Sequence, residues 1–246
     1  MDQDQPIMLL TGASRGIGHA TVKLFQSRGW RILTVSRQPF SPDCPWPGAR
    51  ENHIQADLAD LADADRMIED VRARLPQGKL HALVNNAGIS PKGEAGKRLG
   101  VRDSDAHVWT TVLNVNLIST ALIARGLLPE LEAAKGSIVN VTSIAGSRVH
   151  PFAGTAYAAS KAGLAALTRE MAHEFGARGV RANAIAPGEI KTSILSPGTD
   201  ALVARDVPMR RLGDALEVAQ TIYFLCSEES AYINGAEIHI NGGQHA

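Results

Sequence analysis

Aromatic side chains are scarce, 4% of 246 residues, which argues against a binding surface built from interleaved stacking rings. Cysteine is scarcer: Cys44 and Cys226 stand far apart and form no CxxC pair. A disulfide framework and a thiolate zinc site are therefore not expected, although one distant bridge stays open. Net charge is missing as well, because 25 basic residues balance 25 acidic ones. With no block of five like charges, the electrostatic footprint of a nucleic-acid binder is absent. No apolar run reaches the roughly 18 residues of a membrane span. The N-terminal MDQDQP is polar and acidic, where a secretory signal needs a basic start and a longer apolar stretch. These absences lead to the expectation of a cytoplasmic chain that engages neither nucleic acid nor membrane and holds no metal.

What is present is 44% hydrophobic residues, 20% charged residues and 23 glycines, enough for a sizeable core packed by small side chains. Apolar β-type runs occur at Ile7–Leu10, Ile32–Val35, Leu80–Val84, Ser137–Val141 and Ala182–Ala186, with weaker ones near His53–Ala56 and Glu237–Ile240. Helical stretches lie between them, near 17–28, 60–75, 107–134, 156–178 and 214–227. Continuous apolar strands alternating with helices indicate βαβ units and a parallel sheet covered on both faces. Right-handed crossovers make the expected fold an α/β, Rossmann-type doubly wound sheet. No repeat and no linker divides the chain, so residues 1–246 are read as a single domain. Three segments break the rhythm: 38–48, with Pro39, Pro42, Pro45 and Pro47; 90–104; and 192–209. The last follows a strand and is expected to form a substrate lid, since loops at the carboxyl ends of such strands surround the ligand crevice.

Residues 8–18 (MLLTGASRGIG) run from an apolar strand through glycines into an amphipathic helix. Glycine there lets the backbone approach a diphosphate with no side chain between. The helix N-terminus adds free N–H groups and a partial positive charge. Turns also collect glycine for steric reasons alone. The position directly after the first strand is what points to a phosphate cradle over Gly12, Ser14, Arg15, Gly16, Ile17 and Gly18. An NAD site places an acidic residue at the end of the second strand, on the ribose 2′-hydroxyl. Here Ser36 and Arg37 stand in that place. Arg37 and Arg15 suit charge-assisted contacts to a 2′-phosphate, so NADP(H) is expected in preference to NAD(H). Asp43, in the next loop, is the acid available to fill the missing role.

Tyr157 and Lys161 are four residues apart near the start of a helical stretch, so both can point into one cleft. A free tyrosine, with a pKa of about 10, is a poor base at neutral pH. A neighbouring ammonium favours the phenolate; lowering the pKa by about three units takes roughly 4 kcal/mol. Tyr157 is thereby a candidate general acid or base. Upstream, residues 136–143 (GSIVNVTS) form a strand whose polar end opens at the same crevice. Ser143 there can donate to a carbonyl and stabilise a developing oxyanion.

Six segments, in order, resemble the short-chain dehydrogenase/reductase family over nearly the whole chain. They are TGASRGIG at 11–18, LVNNAG at 83–88, NVNLIS at 114–119, VTSIAG at 141–146, YAASK at 157–161 and NAIAPGEIKT at 183–192. The tail, from Val207-Pro208 through Arg211-Leu212-Gly213 and 232–235 to Asn241-Gly242-Gly243, is similar to bacterial 3-oxoacyl-[acyl-carrier-protein] reductases. The resemblance implies Tyr157 as proton donor and acceptor, Lys161 tuning it and holding the nicotinamide ribose, and Ser143 orienting the substrate oxygen. It implies Asn116 as the holder of a water on the proton-relay path. Asp57 and Leu58 would contact adenine, and Asn86, Ala87 and Gly88 would line the cofactor cleft. Pro187, Gly188, Ile190 and Thr192 would grip the carboxamide and phosphates. Asn85 is expected to tie the central strands together. The resemblance further implies a homotetramer or homodimer, built partly on the helices near 107–134 and 156–178.

The sequence departs from those reductases in its longer 38–48 and 91–106 stretches and at Glu189, where an apolar or aromatic residue is common. Facing the cleft, Glu189 disfavours an acidic or purely aliphatic substrate; facing solvent, it has no bearing. The expected activity is NADP(H)-dependent interconversion of a ketone and a secondary alcohol, with 3-oxoacyl thioester reduction as one form. The rivals are a sugar or polyol dehydrogenase with the same machinery and a non-catalytic nucleotide-binding regulator.

Overall fold

The continuous apolar runs become strands buried on both faces. In the computed structural model, which describes all residues except 1–4, 41–47, 49, 193, 194 and 197, they form one parallel sheet of seven strands. Asp43 and Cys44 lie outside the described residues. The strands are β1 (Ile7–Thr11), β2 (Arg31–Ser36), β3 (His53–Gln55), β4 (Ala82–Asn85), β5 (Ser137–Val141), β6 (Arg181–Pro187) and β9 (Glu237–Ile240). Their order is β3-β2-β1-β4-β5-β6-β9, every neighbouring pair parallel. Two-residue strands β7 (Ile190–Lys191) and β8 (Gly213–Asp214) pair separately. The chain builds outward from β1 to β3 and then returns to the other side of β1. That reversal opens a crevice between the carboxyl ends of β1 and β4, where open α/β sheets bind ligands.

Alternate strand residues feed two apolar layers. Leu9, Leu33, Leu83 and Ile138 join Met67, Ile68 and Val71 of α2 (Leu61–Arg72) and Met171 and Phe175 of α6 (Thr155–Gly176). Met8, Leu10, Val84 and Val139 join Val22 and Phe25 of α1 (Gly16–Ser27) and Val218 and Ile222 of α8 (Ala215–Cys226). Phe25 meets Trp30 and Tyr223 edge-on, with ring centroids 5.1 and 5.2 Å apart, so three aromatics cluster in this second layer. Between the strands, Asn85 Nδ2 donates to Asn140 Oδ1 at 2.8 Å and Asn140 Nδ2 donates to Thr168 Oγ1 at 2.9 Å. That is the tie expected of Asn85.

The helix expected over 107–134 is three helices. A π-turn at Asn114–Ile118 separates α3 (Ala106–Leu113) from α4 (Ser119–Gly126), and α5 (Leu128–Ala134) starts afresh with Pro129 in its first turn, where proline costs no helical hydrogen bond. The π-turn sits where two asparagines bind outward: Asn114 Nδ2 reaches Ala59 O at 3.0 Å, and Asn116 bonds to Ile89 and Ser160. Contrary to the sequence expectation, the continuous run Ala106–Gly126 is long and apolar enough, by length and composition, to cross a membrane. Its best window has a hydropathy of 1.3 and is 33% buried. Of the segment 192–209 expected to form a lid, residues 193, 194 and 197 lie outside the described residues, and the part from 199 is more regular than expected. Thr199–Asp206 forms α7, which buries Leu202 and Val203.

Candidate functional site

A cavity of about 960 Å³ runs along the carboxyl ends of the strands. At one end lies the glycine turn. Gly12 adopts φ +73°, and a Cβ there would come within 2.8 Å of Ala87 Cα, so glycine is required on both counts. Ser14, Arg15, Gly16 and Ile17 line the cavity with it. Gly18 does not. It packs behind the turn, where a Cβ would fall 2.1 Å from Gly12 O, so it serves close packing of α1 on the turn. Among the described residues, no side chain caps α1 and no acid stands in its first turn, leaving the helix N-terminus open to an anion. Thr11 Oγ1 accepts from the backbone N–H of Asn86 and of Ala87, and Asn86 Nδ2 donates to Thr11 O and Gly12 O. This lacing presents Asn86, Ala87 and Gly88 to the cavity.

Ser36 and Arg37 line the cavity at the end of β2. Ser36 Oγ donates to Gln38 O at 2.8 Å, and the Arg37 side chain is exposed. Asp57 and Leu58 line the wall beside them. The Asp57 carboxylate accepts from Ala59 N at 3.0 Å.

At the other end, Ser143, Tyr157 and Lys161 face the same cavity, with Pro187, Gly188 and Ile190; Thr192 lines it nearer the glycine turn, where a Cβ on Gly16 would fall 3.1 Å from its Cγ2. Lys161 Nζ donates to Val141 O at 2.6 Å and lies 5.7 Å from the Tyr157 ring centroid. Burial pushes the Lys161 ammonium down to about 8. The sequence suggests a Tyr157 phenol lowered by that ammonium; in the structure it is raised. Burial is the main cause, a hydrogen bond with Ser143 opposes it, and the negative charge of Glu189 adds to the rise. Lys161 is buried and Tyr157 half-buried, and the loss of water drives each towards its neutral form. A protonated phenol beside a serine hydroxyl is an arrangement suited to proton donation onto a carbonyl oxygen.

Asn116 does not line the cavity. Its Nδ2 donates to Ile89 O and Ser160 Oγ, each at 3.0 Å, and its Oδ1 accepts from Ile89 N at 2.8 Å. The side chain that the resemblance assigns to holding water thus pins the loop after β4. A Cβ on Gly88 would lie 3.4 Å from Lys161 Nζ and 3.6 Å from Asn116 Oδ1, so both groups converge on the space over Gly88.

The family model described as enoyl-(acyl carrier protein) reductase, a short-chain dehydrogenase type, matches residues 12–245. The chain is a short-chain dehydrogenase/reductase. It is 56% identical to Protein FixR of Bradyrhizobium diazoefficiens over 100% of this chain and 89% of that protein. It is 33% identical to the 3-oxoacyl-[acyl-carrier-protein] reductase FabG of Escherichia coli, over 100% and 99% of the two chains. Among solved structures, an oxidoreductase of the short-chain dehydrogenase/reductase family from Brucella ovis, in complex with a partially ordered NAD, superposes with a TM-score of 0.85. It is 56% identical and covers 97% of this chain and 100% of that one. This short-chain dehydrogenase/reductase is therefore an oxidoreductase.

Sequence reasoning missed part of the cavity wall. Ile89, Ser90 and Lys92, from the segment after β4, and Thr111 of α3 line it too. The only signal was that 90–104 follows the carboxyl end of a strand. Glu189 faces the cleft, the alternative left open by sequence. Its Oε1 lies 2.5 Å from His150 Nε2, and both side chains are only 10% exposed.

Proposed function

We propose that this enzyme interconverts a ketone and a secondary alcohol with NADP(H) as the preferred cofactor. The observation that carries the reading is that one cavity holds Ser143, Tyr157 and Lys161 at one end and the glycine turn at the other. The turn fits a dinucleotide diphosphate: Cβ atoms at Gly12 would fill the cradle, and the α1 N-terminus opens onto it. Gly12, Ser14, Arg15, Gly16 and Ile17 would hold the diphosphate. Ser36, Arg37, Asp57 and Leu58 would hold the adenosine half. Asn86, Ala87, Gly88, Pro187, Gly188, Ile190, Thr192 and Lys161 would hold the nicotinamide half. When bound, the cofactor supplies or accepts the hydride at C4.

In the reducing direction, the Ser143 hydroxyl donates to the substrate oxygen and stabilises its growing charge. Tyr157, whose pKa burial raises above its ordinary value, delivers the proton to that oxygen. Lys161 lies over the phenol ring, and Asn116 fixes the loop that carries Gly88 and Ile89. Residues 192–209 act as the lid, and residues 1–246 as one domain. A homotetramer or homodimer accords with the apolar run 106–126, of which two thirds is left unburied in its most apolar window. The likeness to FabG favours a 3-oxoacyl thioester substrate; the carboxylate of Glu189 on the cleft wall favours a sugar or polyol instead.

The test is NADPH absorbance against a broad ketone and alcohol panel, with Tyr157→Phe as control. That variant should lose turnover by at least about 10³-fold while still quenching with NADPH. If no compound changes the absorbance, or if the variant turns over as well as the native enzyme, the reading fails and a nucleotide-binding regulator gains. For the cofactor, Arg37→Ala should weaken NADPH binding by about tenfold or more through the lost charge-assisted contact and NADH binding far less. Equal weakening of both would overturn the NADP preference.

A further inference from the structure

The substrate end of the cleft contains a charged group that the hydride and proton chemistry does not use. Glu189 lies directly after the Pro187-Gly188 turn, on the cavity wall shared with Ser143 and Tyr157. Its charge is felt at the Tyr157 phenol and at Lys92. His150 does not line the cavity; it backs Glu189 from behind. The tautomer of His150 follows from its two contacts. Nδ1 accepts the backbone N–H of Phe152 at 3.2 Å, so it carries a lone pair, and the ring proton sits on Nε2 and is donated to Glu189 Oε1. A neutral imidazole satisfies both contacts. Glu189 is therefore held through one oxygen, Oε1, and has its second oxygen, Oε2, to offer a ligand.

A carboxylate that is 10% exposed in this position is costly beside an aliphatic chain, which would strip its remaining water and return no hydrogen bond. A donor on the substrate reverses that balance. Lys92 lines the same wall, with its ammonium donating to Phe152 O, so the local field is one of paired opposite charges.

We propose that the substrate of this enzyme carries a hydrogen-bond donor, a hydroxyl or an ammonium, close to the reacting carbonyl, and that Glu189 receives it while His150 acts as a positioning residue. This rests on the reading that the Tyr157 end is the carbonyl site. It selects polar, donor-bearing carbonyl compounds over long aliphatic acyl groups. Sites built to bond a donor reject analogues lacking it by factors up to about 10⁴–10⁵.

The test compares kcat/KM for hydroxyacetone, aminoacetone and butanone in the native enzyme, Glu189→Gln and Glu189→Leu, each with saturating NADPH and NADH in parallel. The native enzyme should favour a donor-bearing ketone over butanone by about 10²-fold or more. Glu189→Leu should shrink that ratio at least tenfold. Glu189→Gln, which keeps an acceptor and loses the charge, should retain more of the hydroxyl preference than of the amino preference. A ratio unchanged in Glu189→Leu, or a native enzyme that prefers butanone, overturns the proposal. Should no ketone turn over with either cofactor, the proposed function fails, and the pocket is read by binding alone. Saturation-transfer NMR with propane-1,2-diol, 1-amino-2-propanol and butan-2-ol should then show the first two bound to the native protein and lost in Glu189→Leu. Equal signals from all three in both proteins overturn it. Far-UV circular dichroism and melting curves confirm that the variants are folded.

Discussion

Lys161 is a buried charge that is costly for the fold to keep, and replacing it should stabilise the protein. The side chain is 3% exposed, and burial lowers its pKa from 10.5 to about 8. Below pH 8 both the folded and unfolded chains hold the proton, and the folded state bears the whole penalty of a desolvated ammonium. Between about 8 and 10.5 the unfolded chain still holds a proton that the folded chain has shed, so stability rises with pH through that window. At about 1.4 kcal/mol per pH unit, the penalty at pH 7 is about 3 kcal/mol. Lys161→Met keeps a side chain of similar reach and removes the charge. It also removes the hydrogen bond from the ammonium to Val141 O, a loss of about 1.5 kcal/mol for a charged donor. The variant should therefore be more stable than the native chain by about 2 kcal/mol at pH 7, a rise in Tm of roughly 4–8 °C for a chain of this size. Its advantage should vanish by about pH 10. The assay is urea unfolding of the cofactor-free proteins at pH 7, 8, 9 and 10. A variant less stable than native at pH 7, or a difference that does not change with pH, would refute the reasoning.

Two stability predictions test the architecture around the site. Gly12→Ala places a Cβ 2.8 Å from Ala87 Cα at a φ of +73°. It should cost about 2–4 kcal/mol in urea melts through strain and overpacking, and a cost below 1 kcal/mol would show that the turn can relax. Asn140→Leu leaves Asn85 Nδ2 and Thr168 Oγ1 without their buried partner. It should cost about 2–4 kcal/mol, and a neutral result would mean that the polar tie is dispensable to the sheet.

Much of the fold was legible because parallel strands buried on both faces are written as unbroken apolar runs, and all seven sheet strands end within about two residues of where those runs do. The Tyr157 and Lys161 pair was legible because helical spacing fixes which side chains share a face. Spacing fixes proximity, though, and not the dielectric around it. That is why the direction of the Tyr157 shift was missed: the phenol is raised by burial in the assembled fold and by Glu189, which is distant in sequence. The π-turn at Asn114–Ile118 was hidden because its apolar period continues through the break; what accompanies it is bonding of Asn114 and Asn116 to Ala59, Ile89 and Ser160, which only the assembled fold supplies.

Glu189 shows the same limit at the level of chemistry. Its place after the Pro187-Gly188 turn could be read from sequence, but its state could not, because His150 comes from the loop after Ser143, 39 positions earlier. The Phe152 N–H fixes which nitrogen of His150 is protonated, and that nitrogen fixes how Glu189 is held. A chain of two hydrogen bonds thus orients the Glu189 carboxyl group on the wall it shares with Tyr157. In this cleft the glycine turn and the Tyr157 and Lys161 pair can be read locally from motifs, whereas the setting of Glu189 is written in contacts between segments that meet only when the sheet is complete.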